Sequence, residues 1–231
     1  QPIDLAPPTS PAAPVLSAPI APLLPSQSVA DFAVAPPVPA VPTAPLRRPL
    51  ADTFVFQFGE IGKNGSRMEA QGNCGPASAA IIIQEFGVEA PSMRDLRKEV
   101  GAPTGTKRRA YALTADQVGK AVTETLSSHN INVDYDIEPL STNVNRTLEA
   151  IKSRLDAGEK VILLSSNLAT QSRGHYVVVT AVRDDGSIVI DDPGLRNGQD
   201  DVYSKKRLEQ TLKTRANRYG MPNSLIAFKE V

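Results

Sequence analysis

A single cysteine, Cys74, serves all 231 residues, so no disulfide can close within the chain and the core must stand on packing alone. Net charge is also missing: 25 Lys and Arg balance 25 Asp and Glu, which removes bulk attraction to nucleic acid or to an anionic membrane. No run of about 18 apolar residues occurs, so no transmembrane helix is expected. There is no Gly-x-Ser-x-Gly elbow and no phosphate-binding glycine loop. One cysteine and two distant histidines cannot make a structural zinc site. No cofactor and no metal are expected. The chain starts at Gln1 rather than Met. Either a leader has been removed or the sequence has been trimmed, and an exported or secreted bacterial protein is the expectation.

What is present is unevenly spread. Residues 1–50 hold 14 of the 20 prolines and no glycine, and few charges precede Arg47 and Arg48. Proline fixes φ and removes backbone donors, so this stretch favours extended polyproline II conformations over helices or central strands. It reads as a tether or secretion tail. A pro-segment masking the rest of the chain and a Pro-rich ligand are the alternatives. Leu23, Leu24 and Phe32 give it apolar residues that can dock on a core. Residues 51–231 form the expected globular domain.

Within that domain, 53–58 alternate like a strand. Residues 74–86 read as a helix stopped by Gly87, and Ser92 caps a short helix ending at Gly101. Residues 102–113 read as a basic surface loop through Lys107, Arg108 and Arg109. Thr114 caps a helix to about Ser128, followed by a strand over 131–137 and a helix over 143–156 closed by Gly158. A buried strand over 161–164 leads to a hairpin, 175–183 with 187–191, turned at Asp184-Asp185-Gly186. A polar helix over 204–216 and a strand over 225–228 complete the pattern. The class is α+β: helices first, then an antiparallel sheet that they pack on.

Gln71-Gly72-Asn73-Cys74-Gly75-Pro76-Ala77-Ser78 places the one thiol at the mouth of a helix. Free N–H groups and the positive end of the helix dipole favour a thiolate there. The competing reading is a small buried core residue. A thiolate needs an imidazole partner, and two histidines are on offer. His129 ends a polar helix and reads as a surface or capping residue. His175 opens the apolar run Tyr176-Val177-Val178-Val179 directly after Gly174, at a strand mouth that can face a cleft. A third group should orient the imidazole, and the hairpin returns Asp191 and Asp192. An even loop would put Asp192 on the face of His175, whereas an odd loop with a bulge would put Asp191 there. Asp192 is favoured. Cys74, His175 and Asp192 together point to thiol acyl-transfer chemistry.

Cys74-Gly75-Pro76-Ala77-Ser78, Gly174-His175-Tyr176-Val177-Val178-Val179 and Asp192-Pro193 resemble bacterial papain-like cysteine peptidases. They are nearest to the bacteriocin-processing (double-glycine leader) group and its stand-alone relatives, over roughly residues 53–231. The resemblance implies a papain-like fold with Cys74 as nucleophile, His175 as general base and then acid, and Asp192 as orienter. It also implies an oxyanion hole made by the Cys74 N–H and a glutamine. That glutamine usually lies six residues before the cysteine, where this chain has Met68. Gln71, three before it, is the candidate, unless a backbone N–H near Gln71 serves instead. The expected substrate is a peptide or protein, and the expected state is a monomer. A glutamine deamidase or transglutaminase on the same triad and a non-catalytic binding module are the alternatives. No Gly-Gly pair occurs, which excludes self-processing at a double-glycine site.

Overall fold

Strand runs that are apolar on both faces, such as Lys160–Ser165 and His175–Val182, need cover on both sides, and the fold provides it. The computed structural model describes residues 49–60, 67–104, 112–166, 174–213 and 222–231. All of these fall in one unit, residues 45–231. The tail expected over 1–50 lies almost wholly outside the described residues, as do the basic centre of the 102–113 loop and the end of the helix expected over 204–216.

Six helices and six strands are found among the described residues. In chain order they are α1 (Arg67–Ala70), α2 (Cys74–Glu85), α3 (Met93–Glu99), α4 (Ala115–Ser128), β1 (Val133–Pro139), α5 (Val144–Asp156), β2 (Lys160–Ser165), β3 (His175–Val182), β4 (Ile188–Asp191), β5 (Asp201–Tyr203), α6 (Lys205–Leu212) and β6 (Ser224–Glu230). The strands form one sheet in the order β1-β6-β2-β3-β4-β5, with every neighbouring pair antiparallel. The α+β expectation therefore holds, with one addition. Ile162, Leu164, Tyr176, Val178, Ile226 and Phe228 pack on the α2 and α4 side. Val161, Leu163, Val177, Val179, Leu225 and Ala227 pack on Leu148 and Ile151 of α5 and Leu208 and Leu212 of α6. The helices thus cover both faces rather than forming a single layer.

Helix α2 is the hub of the first face. Every residue from Cys74 to Ile83 is buried, the mark of a helix apolar all round and enclosed by protein. Local signals set the ends of its neighbours. Ser92 accepts from Asp95 N at the start of α3, and Thr114 and Gln117 form a reciprocal capping box at α4. His129 is the C-cap of α4, its Nδ1 3.0 Å from the Thr125 carbonyl, as the sequence suggests.

One expectation is overturned. Residues 53–58 are not in the sheet: they run without a ladder and turn at Gln57–Glu60. The backbone is fastened elsewhere, Thr53 O accepting from Gln84 Nε2 at 2.9 Å and Gln57 N donating to Pro193 O at 2.9 Å. Phe54 and Val55, adjacent in the chain, both pack on the core, so the burial of this segment does not follow the period of two that a strand would show. Helix α1 and strand β5 carry no clear sequence pattern, being four and three residues long.

Candidate active site

The site forms where the start of α2 meets the start of β3. Residues Gln71–Asn73 make a turn, and α2 begins directly at Cys74. Gly72 N donates to Glu69 O at 2.9 Å and Asn73 N to Ala70 O at 3.2 Å, which folds the chain tightly ahead of the thiol. Cys74 is buried, and its side chain hydrogen-bonds to His175, the first residue of β3. His175 Nε2 lies 2.6 Å from Asp192 Oδ1. Both residues are buried. The imidazole therefore bridges thiol and carboxylate.

Asp192 is itself held by three donors. Oδ1 also accepts from Gly194 N at 2.8 Å, and Oδ2 accepts from the Tyr203 hydroxyl at 3.4 Å. Asp191 turns away and accepts from Asp200 N at 2.9 Å. The contact to the His175 ring is made by Asp192 and not by Asp191, and the route to it differs from the one expected. Arg183 N bonds Ser187 O at 2.8 Å, so the hairpin loop is Asp184–Gly186, an odd count with Gly186 at φ 77° as this turn demands. Val182 pairs with Ile188 and Ala181 with Val189; the register then slips, and Val179 pairs with Ile190 and Val178 with Asp191. The extra residue, Thr180, reverses the parity that the odd loop had set. Asp192 thus reaches the face of His175 through an odd loop and a bulge, the combination expected to favour Asp191.

Each of the three ionisable groups is shifted from its ordinary value. Burial alone would push the Cys74 thiol up. The hydrogen bond and charge of His175, with the Tyr176 and Gly75 backbone N–H groups, outweigh it and hold the thiol below its ordinary value. Burial would lower His175, but Asp192 and Cys74 raise it to about 9. Burial would raise Asp192, yet His175, Gly194 N–H and Tyr203 hold it below its ordinary value. The arrangement favours a thiolate beside an imidazolium, oriented by a carboxylate.

Gln71 is exposed in the turn before Cys74. The sequence did not single out Gln57, which is buried and donates from Nε2 to Ala70 O at 3.0 Å. Through its own backbone bond to Pro193, Gln57 ties the turn before Cys74 to the loop after Asp192. Arg97 was also missed. It is buried on α3, with Nε 2.7 Å from Asn73 Oδ1 and Nη2 2.5 Å from Gly72 O. A signal existed: Met93, Leu96 and Arg97 share helical spacing, so Arg97 occupies a core position of an amphipathic helix. Tyr203, on the missed strand β5, gave no signal. Among the described residues no group of three His, Cys, Asp or Glu is placed to hold a metal ion, and no helix is long and apolar enough to cross a membrane.

The Peptidase_C39 like family matches residues 56–220, a span that includes Cys74, His175 and Asp192. Among solved structures, the peptidase domain of Streptococcus ComA, a bi-functional ABC transporter involved in a quorum sensing pathway, is similar at 19% identity and a TM-score of 0.46. The alignment covers 70% of this chain and 92% of that one. Pseudomonas avirulence protein AvrPphB is similar at 14% identity and a TM-score of 0.35, over 72% of this chain and 96% of that one. No curated protein sequence matches. With a match over most of its length, this chain belongs to the Peptidase_C39 like family and is a cysteine peptidase.

Proposed function

We propose that this peptidase cleaves peptide or protein substrates with Cys74 as nucleophile, His175 as base and acid, and Asp192 as orienter. The observation that carries the reading is the 2.6 Å contact between His175 Nε2 and Asp192 Oδ1, with Cys74 bonded to the same imidazole. The Cys74 thiolate attacks the substrate carbonyl, forming a carbon–sulfur bond and moving the carbonyl π pair onto oxygen. The Cys74 N–H, at the first position of α2 and so without a partner inside the helix, is a donor for that oxyanion. Gln71, or a backbone N–H of its turn, is the second. The intermediate collapses, the carbon–nitrogen bond breaks, and His175 gives its proton to the departing amine. Neutral His175 then takes a proton from water, whose oxygen attacks the thioester. Release of the acid restores thiolate and imidazolium. A side-chain amide of glutamine would follow the same course with ammonia as leaving group.

The test is alkylation of the full chain with iodoacetamide from acid to mildly alkaline pH, read by intact mass and peptide mapping. Cys74 is expected to react well below the pKa of an ordinary thiol and to lose that reactivity in His175→Ala. Modification with the profile of a free thiol would sink the reading. Incubation with unfolded casein then separates the activities: new chain termini mark a peptidase, and a gain of about one dalton without scission marks deamidation. Turnover is expected to fall as pH rises through about 9, where His175 loses the proton that the leaving amine needs.

A further inference from the structure

We infer that Arg97 is a positioning residue for acyl transfer at Cys74, clamping the two residues before the nucleophile so that the first N–H groups of α2 stay open to the reaction. The inference rests on the reading of Cys74 as nucleophile. Its basis is an Arg fork spread over consecutive residues. Arg97 Nε bonds the Asn73 side chain at 2.7 Å and Nη2 bonds the Gly72 carbonyl at 2.5 Å. Arg97 is fully buried, a costly place for a guanidinium unless its donors are used. The Glu69 carboxylate on α1 lies close enough to act on its charge, and Glu69 also pairs with Arg94 at 3.3 Å.

The state of Asn73 gives the clamp its meaning. Asn73 holds the N-cap position of α2, where an asparagine ordinarily turns its side-chain oxygen onto the N–H of the second or third helical residue. Here those residues are Gly75 and Pro76, and Pro76 has no N–H. Asn73 makes no side-chain cap bond; its oxygen is held by Arg97 instead. The Gly75 N–H is thereby left to the Cys74 sulfur, and the Cys74 N–H keeps the aim that the fixed Gly72–Asn73 backbone gives it. Lysine cannot reproduce this, because one ammonium does not span two acceptors in the geometry of the fork.

Two reactions at the same sulfur separate positioning from mere folding. Iodoacetamide alkylates the thiolate by displacement at a saturated carbon and forms no oxyanion. p-Nitrophenyl acetate acetylates it through a tetrahedral oxyanion, forming the carbon–sulfur bond and expelling p-nitrophenolate. Both are followed by intact mass on the full chain. In Arg97→Lys, acetylation is expected to slow about 10- to 100-fold while alkylation keeps its pH profile and stays within about 3-fold. Equal loss of both reactions, or no change in either, overturns the positioning role. Asn73→Ala supplies a second reading if Arg97→Lys fails to fold. It cuts the side-chain arm of the clamp and should lower the ratio of acetylation to alkylation, and an unchanged ratio overturns the inference. If wild-type Cys74 alkylates as an ordinary thiol, the nucleophile reading itself falls. If wild type is activated and Arg97→Lys matches it, only the role of Arg97 falls.

Discussion

Asp192 Oδ1 takes two donors at once, the His175 ring and the Gly194 N–H, and this crowding makes Gly194 the residue with least room to change. A Cβ at Gly194 would lie 3.1 Å from Asp192 Oδ1 and 3.1 Å from His175 Cε1. Neither neighbour is the loose end of a flexible chain, since both are buried and bonded to each other. Gly194→Ala should therefore disturb the imidazole rather than the core. Acid-side alkylation of Cys74 is expected to fall by about 10-fold or more, with the melting temperature shifted by only a few degrees. An unchanged alkylation profile would show that the loop gives way without moving His175. At this scale the sequence was informative where residues are scarce: with one Cys and two His, the candidates could be weighed by position alone. It was silent on Gly194, Tyr203 and Arg97, whose importance comes from contacts between segments far apart in the chain.

Among the elements, α4 illustrates how a local signal supports the site from a distance. Its capping box, Thr114 with Gln117, fixes the start of a helix that packs directly on α2 through Val118 and Val122. Thr114→Ala removes an N-cap and should cost about 1 kcal/mol in urea unfolding while leaving the pH profile of Cys74 in place. A shift of that profile would mean that α4 sets the geometry of the thiol and not merely the stability of the layer. The hairpin of β3 and β4 works differently. Its turn sequence predicts a hairpin but not the Thr180 bulge, because both registers bury apolar residues: β3 and β4 are apolar on each face. The usual cue for register, one wet face and one dry, is missing.

For the whole molecule, the charge pair at the site has a consequence for stability. His175 has an ordinary value of 6.5 and is raised to about 9 in the folded chain, so its contribution is complete below about 6.5 and is lost as pH rises through about 9. Cys74 has an ordinary value of 9.0 and is lowered on folding, so its contribution is present above that value and is lost as pH falls through the folded value. Between about 6.5 and 9, once the thiol has ionised, the folded pair holds one proton on His175 and the unfolded pair holds one on Cys74. The counts match, and stability should be level from the pH at which the folded thiol has ionised up to about 9. Cys74→Ala removes one side of the balance while Asp192 still holds the His175 proton. Its unfolding free energy should then fall with rising pH by up to about 1.4 kcal/mol per pH unit. Urea titrations of both proteins at several pH values check this; a level profile for Cys74→Ala would mean that His175 is not raised without the thiolate.

The caps at Ser92 and Thr114, the stops at Gly87 and Gly158, and the thiol at a helix mouth were determined by the sequence, because each depends on the few residues around it. Those signals place α2 to α5 and the hairpin, and with them Cys74 and His175. Tertiary structure decided the rest. It took residues 53–58 out of the sheet, covered the second sheet face with α5 and α6, left Gln71 exposed, buried Arg97 against the turn before Cys74 and brought Asp192 to His175. The reason is range. Caps and turns are settled by bonds within a few residues, whereas strand register and the burial of a charge depend on which distant segments close over them and remove the water.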